Sequence, residues 1–227
     1  MEWDWSYALK ILPQLFEGVK ITVFASIAGS ALAMVIGLAI AIARRSAGRA
    51  GGSLIRFCVS FVRGTPLLVQ LYFTFYVLPD FGIYMSPLAA GIITLSIHYS
   101  SYTSEVFRAG IDNVDRSLWE ASTALNLTAV QTWRHIIIPQ AVPPMLPALG
   151  NYVVAMFKET PLLSMVTVIE LMGEARILAN TNYRYLEPIS MVGMFFLAVS
   201  VPSVMALDYL ERRYGMGRTR HQNIPMF

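Results

Sequence analysis

Charged and polar side chains stand within the apolar stretches of this sequence, where they could line a path for a polar solute. The largest group shares one face of a helix, at offsets of four, seven, eight and eleven residues from its first member: Thr94, His98, Ser101, Tyr102 and Glu105. Such a face is costly against lipid, so we expect it to face a bundle interior or a water-filled path. Local pairing is the alternative, because Glu105 and Arg108 are spaced for an ion pair.

Two further sites place charges beside proline. Arg63 precedes Gly64 and Pro66, and proline removes a backbone N–H group and frees an upstream carbonyl. Such a break is tolerated where the backbone lines a cavity or is covered by protein. Lys158 and Glu159 point apart on a helix, so each is available for one charge of a zwitterionic solute. A structural ion pair with another helix explains them at least as well.

The candidate translocation path combines these features in one set of residues: Arg63, Thr65, Pro66, His98, Tyr102, Glu105, Lys158 and Glu159. His98 by itself is more typical of a hydrogen-bonded interior histidine than of a ligand, because no metal-type cluster accompanies it. Cys58 is the only cysteine, which excludes an intrachain disulfide and a cysteine-based metal site. We expect no catalytic residue, no metal and no cofactor.

The composition indicates that membrane-spanning helices position these residues. The apolar class AVILMFWYC makes up 56% of the 227 residues and charged residues 14%, whereas a soluble domain carries roughly 25% charged residues. The net charge of +3 is small, and the basic residues follow apolar runs instead of forming the stripe of a nucleic-acid-binding protein. The apolar runs predict an all-α protein with about five transmembrane helices: 19–43, 54–78, 88–107, 145–157 and 189–209. The segment 162–178 is too short and polar to span, so we expect a re-entrant or interfacial helix.

Basic residues predict the orientation of these helices. With five spans, one side of the membrane receives nine arginines: Arg44, Arg45, Arg49, Arg116, Arg134, Arg212, Arg213, Arg218 and Arg220. The other side receives only Lys10, Lys20, Arg176 and Arg184. We therefore expect an external N-terminal segment over 1–18, a transmembrane domain over 19–211 and a cytoplasmic tail over 212–227.

Small residues recur every four positions along the first span: Ala25, Gly29, Ala33, Gly37 and Ala41. Such a face lets another helix backbone approach closely. The general richness of membrane helices in alanine and glycine explains the pattern equally well. Either interpretation concerns helix packing and not chemistry.

The polar loop over about 112–140 is predicted to contain two short helices. Ser117, with Glu120 three residues later, is spaced as a capping box that begins a helix at Leu118. That helix is expected to end near Asn126, because asparagine tolerates the left-handed conformation at a helix C-terminus.

The second short helix of the loop has its own capping signal. Thr128 and Gln131 are spaced as another capping box, and the helix is expected to run to about Ile138, before Pro139. Two capped helices joined by a tight turn form a rigid knob. On spacing alone, a structured loop lying on the membrane surface is an equally good interpretation.

The sequence of this loop resembles the EAA loop of ATP-binding-cassette (ABC) importer permeases. The matching letters are EASTALN over 120–126 and WRHIIIP over 133–139. Ser122 stands where the family pattern has a second alanine and Asn126 where it has glycine, and asparagine can adopt the same backbone. The resemblance implies a coupling helix that docks on a cytoplasmic ATPase through the following residues: Glu120, Ala121, Ser122, Asn126, Leu127, Trp133, Ile136 and Pro139.

Other segments resemble the polar-amino-acid branch of that family. They are 61–71, 102–111 and 157–166, and the resemblance covers roughly 15–209. The opening Trp3-Asp4-Trp5 and the closing Pro225-Met226-Phe227 look like the ectoine and hydroxyectoine members. The resemblance implies the fold of a type I ABC importer permease, which forms the path for a polar amino acid or an amino-acid-like compatible solute.

The resemblance also implies partners in the bacterial inner membrane. These are an ABC ATPase dimer, a second permease subunit, identical or homologous, and an external solute-binding protein. The chain has no Gly-Lys dipeptide and hence no phosphate-binding loop of the G-x-x-x-x-G-K-[ST] type, so ATP hydrolysis is expected on a separate subunit. The alternative is an ATP-independent secondary transporter or channel, which the lack of an internal repeat disfavours. A purely structural subunit is a third interpretation, under which the capped knob has no purpose.

Overall fold

The computed structural model describes residues 2–213, which form helices joined by short connections. The predicted tail beyond Arg213, with Arg218, Arg220 and the closing Pro-Met-Phe sequence, lies outside the described residues. The α-helices are, in chain order, α1 Trp5–Ser46, α2 Arg49–Gly64, α3 Leu67–Tyr72, α4 Pro87–Asp112, α5 Arg116–Ala124, α6 Ala129–Thr132, α7 Ile138–Glu159, α8 Leu171–Asn182 and α9 Leu186–Arg213. Tighter or wider turns link some of them: the π-helical turns Phe73–Val77 and Trp133–Ile137, and the 3-10 turns Leu78–Phe81 and Thr160–Val166.

Helix α1 begins at Trp5, well before the predicted start of the first span. The Asp4 side chain caps the helix by accepting hydrogen bonds from the N–H groups of Ser6 and Tyr7. The helix has 42 residues, so it is about 63 Å long, twice the thickness of the hydrocarbon core of a bilayer. The segment predicted to be external is therefore mostly the first part of this helix.

Five long helical units account for the predicted spans. Helices α1 and α9 are long and apolar enough to cross a membrane, and α2 with the helical segment Leu67–Phe81 qualifies as one bent pair. Helices α4 and α7 have 26 and 22 residues, about 39 and 33 Å, which is long enough to cross although they carry more polar residues and prolines. The described part of the chain is thus an all-α protein with about five transmembrane helices.

The small-residue face of α1 packs against α4 of the same chain. Its three alanines, Ala25, Ala33 and Ala41, are at most 4% exposed. A Cβ atom added at Gly37 would overlap the Thr103 hydroxyl and lie 3.0 Å from the backbone nitrogen of Ser104. The repeat is therefore a packing face, and its partner lies within the chain.

The segment between α7 and α9 holds a helix too short to cross the membrane. Helix α8 has 12 residues, about 18 Å, and follows the 3-10 turn Thr160–Val166. Glu170, fully buried, caps α8 by accepting hydrogen bonds from Met172 and Gly173. Whether α8 is re-entrant or interfacial stays a prediction, but its length excludes a span.

The contacts between helices define which ends lie together. The ring of Phe157 near the end of α7 lies 4.9 Å from that of Phe196 in α9, and Leu207 packs against Gly150 earlier in α7. Helices α7 and α9 are therefore antiparallel. The end of α9, with Arg212 and Arg213, points to the side where the loop over 112–140 leads into α7.

Candidate functional site

The first short helix of the loop, α5, begins at Arg116, two residues earlier than predicted. Asp115 is its N-cap, and its carboxylate accepts a 2.8 Å hydrogen bond from the N–H group of Ser117. This hydrogen bond lowers the pKa of the Asp115 carboxyl. The prediction of a capping box between Ser117 and Glu120 is wrong. Glu120 lies in the middle of the helix, where its exposed carboxylate forms a 3.3 Å ion pair with the exposed Arg116. Asp115, two residues before Ser117, is the better N-cap because its negative charge also interacts favourably with the positive end of the helix dipole.

The turn at Asn126 is confirmed. Asn126 has a φ of 51°, in the left-handed region. Its N–H group donates to the Thr123 carbonyl and that of Leu127 donates to the Ser122 carbonyl, both at 3.0 Å. This pair of hydrogen bonds is a Schellman motif, which satisfies carbonyls that the end of α5 would leave unpaired.

The second capping box is confirmed, but the helix does not stop before Pro139. Thr128 and Gln131 each accept a hydrogen bond from the other's backbone N–H group. The chain then widens into the π-helical turn Trp133–Ile137, closed by the Ile138 N–H group donating to the Trp133 carbonyl, and continues as α7. The wide turn makes room for the proline ring, which would clash with a carbonyl of a regular helix.

Two tryptophans join the short helices into one knob, residues 115–139. The rings of Trp119 and Trp133 meet edge to face with centroids 5.5 Å apart. Between the helices lies an open groove of about 460 Å³, lined by Trp119, Ser122, Asn126, Leu127 and Trp133 among others. Ile136 packs beneath, against the cluster formed by Ile111, Ile137, Met145 and neighbours. Of the predicted docking residues, Glu120, Ala121 and Pro139 are exposed, whereas Ser122 is buried.

The candidate path begins at the break between α2 and α3. The two helices meet at Thr65 and Pro66 with a bend of 99°. The side-chain amide of Gln70 fills the break by donating to the Val62 carbonyl at 2.7 Å and to the Thr65 hydroxyl at 2.6 Å. A half-buried glutamine thereby satisfies the Val62 carbonyl, which the proline leaves without a helical partner.

An aromatic cluster lies beside that break. His98 is buried and its Nδ1 atom lies 3.3 Å from Gln70 Oε1. Tyr102 lies 5.4 Å from His98 and 5.4 Å from Tyr152 of α7 between ring centroids. Arg63, at the end of α2, places its guanidinium carbon 6.0 Å from the Tyr102 ring, the outer limit of a cation–π contact.

A carboxylate also contacts the cluster. The Tyr99 hydroxyl donates a 2.8 Å hydrogen bond to Glu159 Oε2, and Tyr99 lies 6.1 Å from Tyr102 between centroids. Lys158 is exposed and is not paired with Glu159 among the described residues. Arg63 thus approaches Tyr102, and Glu159 is bonded to Tyr99, within one cluster of aromatic rings.

Glu105 does not join this cluster. Its carboxylate pairs with Arg44 of α1 at 2.6 Å and with Arg108 at 2.8 Å. The ion pair between Glu105 and Arg108, which was the alternative to a role of Glu105 in the path, is therefore present. Arg44 of α1 strengthens it. Thr94 and Ser101 also donate to carbonyls of their own helix.

Three residues of the cluster were missing from the predicted path: Gln70, Tyr99 and Tyr152. Gln70 had a signal in the sequence, because it is the only polar residue between Pro66 and Tyr72 in an apolar run. Tyr99 and Tyr152 had none, because their approach depends on how α4 packs against α7. Chemically, the cluster offers a cation, a carboxylate and aromatic faces to a small polar molecule.

Comparison with known proteins gives a family match. The model of the family described as binding-protein-dependent transport system inner membrane component matches residues 33–216. A probable amino-acid ABC transporter permease protein, y4tG of Sinorhizobium fredii, is 40% identical over 86% of this chain and 85% of its own length. The glutamine transport system permease protein GlnP of Escherichia coli is 33% identical over 94% of this chain and 98% of its own length.

Solved structures share the fold. A chain of an amino acid ABC transporter crystallised with histidines has a TM-score of 0.85 and 32% identity, covering 94% of this chain and 100% of its own. A chain of the MetNI methionine ABC transporter, in an inward-facing conformation, has a TM-score of 0.76 at 16% identity, covering 90% and 98%. The second likeness concerns the fold alone.

Proposed function

Because this chain belongs to the family of binding-protein-dependent transport system inner membrane components, we propose that it carries a polar amino acid, or an amino-acid-like compatible solute such as ectoine or hydroxyectoine. As a member of that family it is a multi-pass permease subunit of an ABC importer in the inner membrane. The substrate class is our inference from its site and from the amino-acid and glutamine permeases that it resembles.

The observation that carries the substrate class is the arrangement of opposite charges around the tyrosine cluster. Arg63 lies beside Tyr102, and Glu159 is held by Tyr99. A small zwitterionic solute binds where a cationic side chain meets its carboxylate and an anionic side chain meets its ammonium group. Its other polar groups need hydrogen-bond partners in the site. Three other predicted path residues, Thr65, Pro66 and His98, shape the break between α2 and α3 and its contact with Gln70. Lys158 is exposed at the edge of the cluster.

The knob over 115–139 is proposed to dock on the ATPase. The Schellman turn at Asn126, the capping box at Thr128 and the pair Trp119–Trp133 support this role, because they make a rigid shape with an open groove. Glu120 and Ala121 present the exposed face, Leu127 and Trp133 line the groove, and Ile136 and Pro139 lead into α7. Hydrolysis occurs on a separate ATPase dimer.

The remaining partners are a second permease subunit, identical or homologous, and an external solute-binding protein. The orientation proposed from the basic residues is supported by the helix ends, because Arg44, Arg45, Arg212 and Arg213 all lie toward the knob. The knob and the end of α9 would then be cytoplasmic and the start of α1 external.

Coexpression with a candidate ABC ATPase and a candidate solute-binding protein, followed by reconstitution into vesicles, tests the function. Uptake of labelled glutamine should require ATP, the ATPase and the binding protein, and unlabelled ectoine should be tested as a competitor. Uptake that proceeds without the ATPase would identify an ATP-independent transporter or channel instead. Mass analysis of the purified complex gives the number and identity of its permease subunits.

A further inference from the structure

Arg45, at the end of α1, contacts both the knob and the end of α4. Its guanidinium carbon lies 5.2 Å from the centroid of the Trp119 ring in α5. Its Nη1 atom also forms a 2.9 Å ion pair with Asp112, the last residue of α4. The planar guanidinium group of Arg45 therefore lies against the knob and is held in place by the Asp112 carboxylate of α4.

The Trp119 ring is fixed to the rest of the knob by its packing contacts. It is held by the ring of Trp133, and both rings pack partly buried on the cluster that contains Ile111, Ile137 and Met145. A shift of α5 therefore moves the surface on which Arg45 lies.

Helix α1 also contacts α8, at a point far from Arg45. The Thr22 hydroxyl, fully buried, donates to Glu170 at 3.3 Å and accepts from the N–H group of Leu171 at 3.1 Å. A Cβ atom at Gly18 would lie 2.7 Å from the Cα atom of Leu171, so the backbones of α1 and α8 are in close contact. Thr22 and Arg45 are separated by about 35 Å of continuous helix.

We propose that Arg45 is a positioning residue that couples movement of the knob to α1 and, through Thr22 and Glu170, to α8. This inference rests on the proposed docking of the knob on an ATPase. The neighbouring Arg44 cannot replace it, because Arg44 pairs with Glu105 and not with the knob. Coupling requires a contact whose strength differs between two positions of the knob.

Stimulation of ATPase activity by the loaded binding protein tests this coupling, because the signal must pass from the outer side to the ATPase. Arg45→Met removes both contacts, and we expect stimulation to fall by about threefold or more, the size of a cation–π contact. Basal ATPase activity and copurification of the ATPase should stay unchanged. Trp119→Phe keeps an aromatic face and should retain most of the stimulation, whereas Trp119→Leu should lose it.

Arg56→Met is the matched control, because Arg56 is exposed on α2 and forms no ion pair within residues 2–213. It should behave as wild type. Arg45→Lys retains a positive charge for the ion pair with Asp112 but loses the planar group that lies on the Trp119 ring. It therefore tests the inference if the Arg45→Met variant fails to assemble. Wild-type stimulation in whichever Arg45 variant retains its ATPase would overturn the inference. If the wild-type chain does not copurify with an ATPase, the proposed function falls and this inference falls with it.

Discussion

The Tyr99 hydroxyl donates a 2.8 Å hydrogen bond to Glu159, and this contact joins the middle of α4 to the last residue of α7. Directly after Glu159 the chain changes to the 3-10 turn Thr160–Val166. The carboxylate is therefore fixed at a point where the helix geometry changes, next to the tyrosine cluster.

This relationship predicts a specific loss of uptake in Glu159→Gln. The amide keeps the shape and the contact with Tyr99 but removes the charge proposed to meet the ammonium group. We expect the apparent KM for the solute to rise by about tenfold or more, which corresponds to a lost charge-assisted hydrogen bond. Lys158→Gln is the control, because Lys158 is the exposed neighbour. Equal effects of the two variants on uptake would contradict a role for Glu159 in binding.

A second prediction concerns the turn of the knob. Asn126→Gly should be nearly silent, because glycine adopts a φ of 51° without steric cost. Asn126→Val should strain the Schellman motif by about 1–2 kcal/mol and misalign the two short helices. Copurification of the ATPase and uptake should fall together for the valine variant, with external docking of the binding protein unchanged. Identical results for glycine and valine would show that the turn does not control docking.

A third prediction tests the packing of α1 on α4. Gly37→Ala should destabilise the protein by about 1–3 kcal/mol, because the added methyl group overlaps Thr103. Gly193→Ala in α9 is the control, since no atom lies within 4 Å of its added Cβ. Thermal unfolding of both variants in detergent gives the comparison, and an unchanged midpoint for Gly37→Ala would argue against the close contact.

The buried cap of α8 supplies a fourth prediction. Glu170→Ala removes the acceptor for Met172 and Gly173 and for the Thr22 hydroxyl, which leaves buried donors unpaired. We expect a loss of about 1–3 kcal/mol or more in stability. Glu170→Gln keeps one acceptor oxygen and should lose less. Protease sensitivity of the segment from α7 to α9 is the measurement, and the ranking fails if glutamine is as sensitive as alanine.

Orientation in the membrane is the fifth prediction. A reporter fused before Trp3 should be external, and one fused after Arg213 should be cytoplasmic, because Arg44, Arg45, Arg212 and Arg213 lie at one end of the bundle. Activity of the first reporter in the cytoplasm would require the reverse topology or an even number of spans.

The sequence alone determined those features that depend on neighbouring residues. The membrane-spanning runs, the left-handed turn at Asn126 and the capping box of Thr128 with Gln131 are short-range properties of hydrophobicity and backbone conformation. The small-residue face of α1 was also visible in the sequence, although its partner helix was not. The pairing of Glu105 with Arg108 was one of two open interpretations.

Tertiary structure decided what depends on distant contacts. Two differences from the prediction were local, because Asp115 replaced Ser117 as the cap of α5 and a π-helical turn carried the chain past Pro139. Tyr99 meets Glu159, and Arg45 meets Trp119, only because residues far apart in the chain are brought together by helix packing. Periodicity places a residue on a face of its helix, but the packing of the whole bundle determines what that face meets.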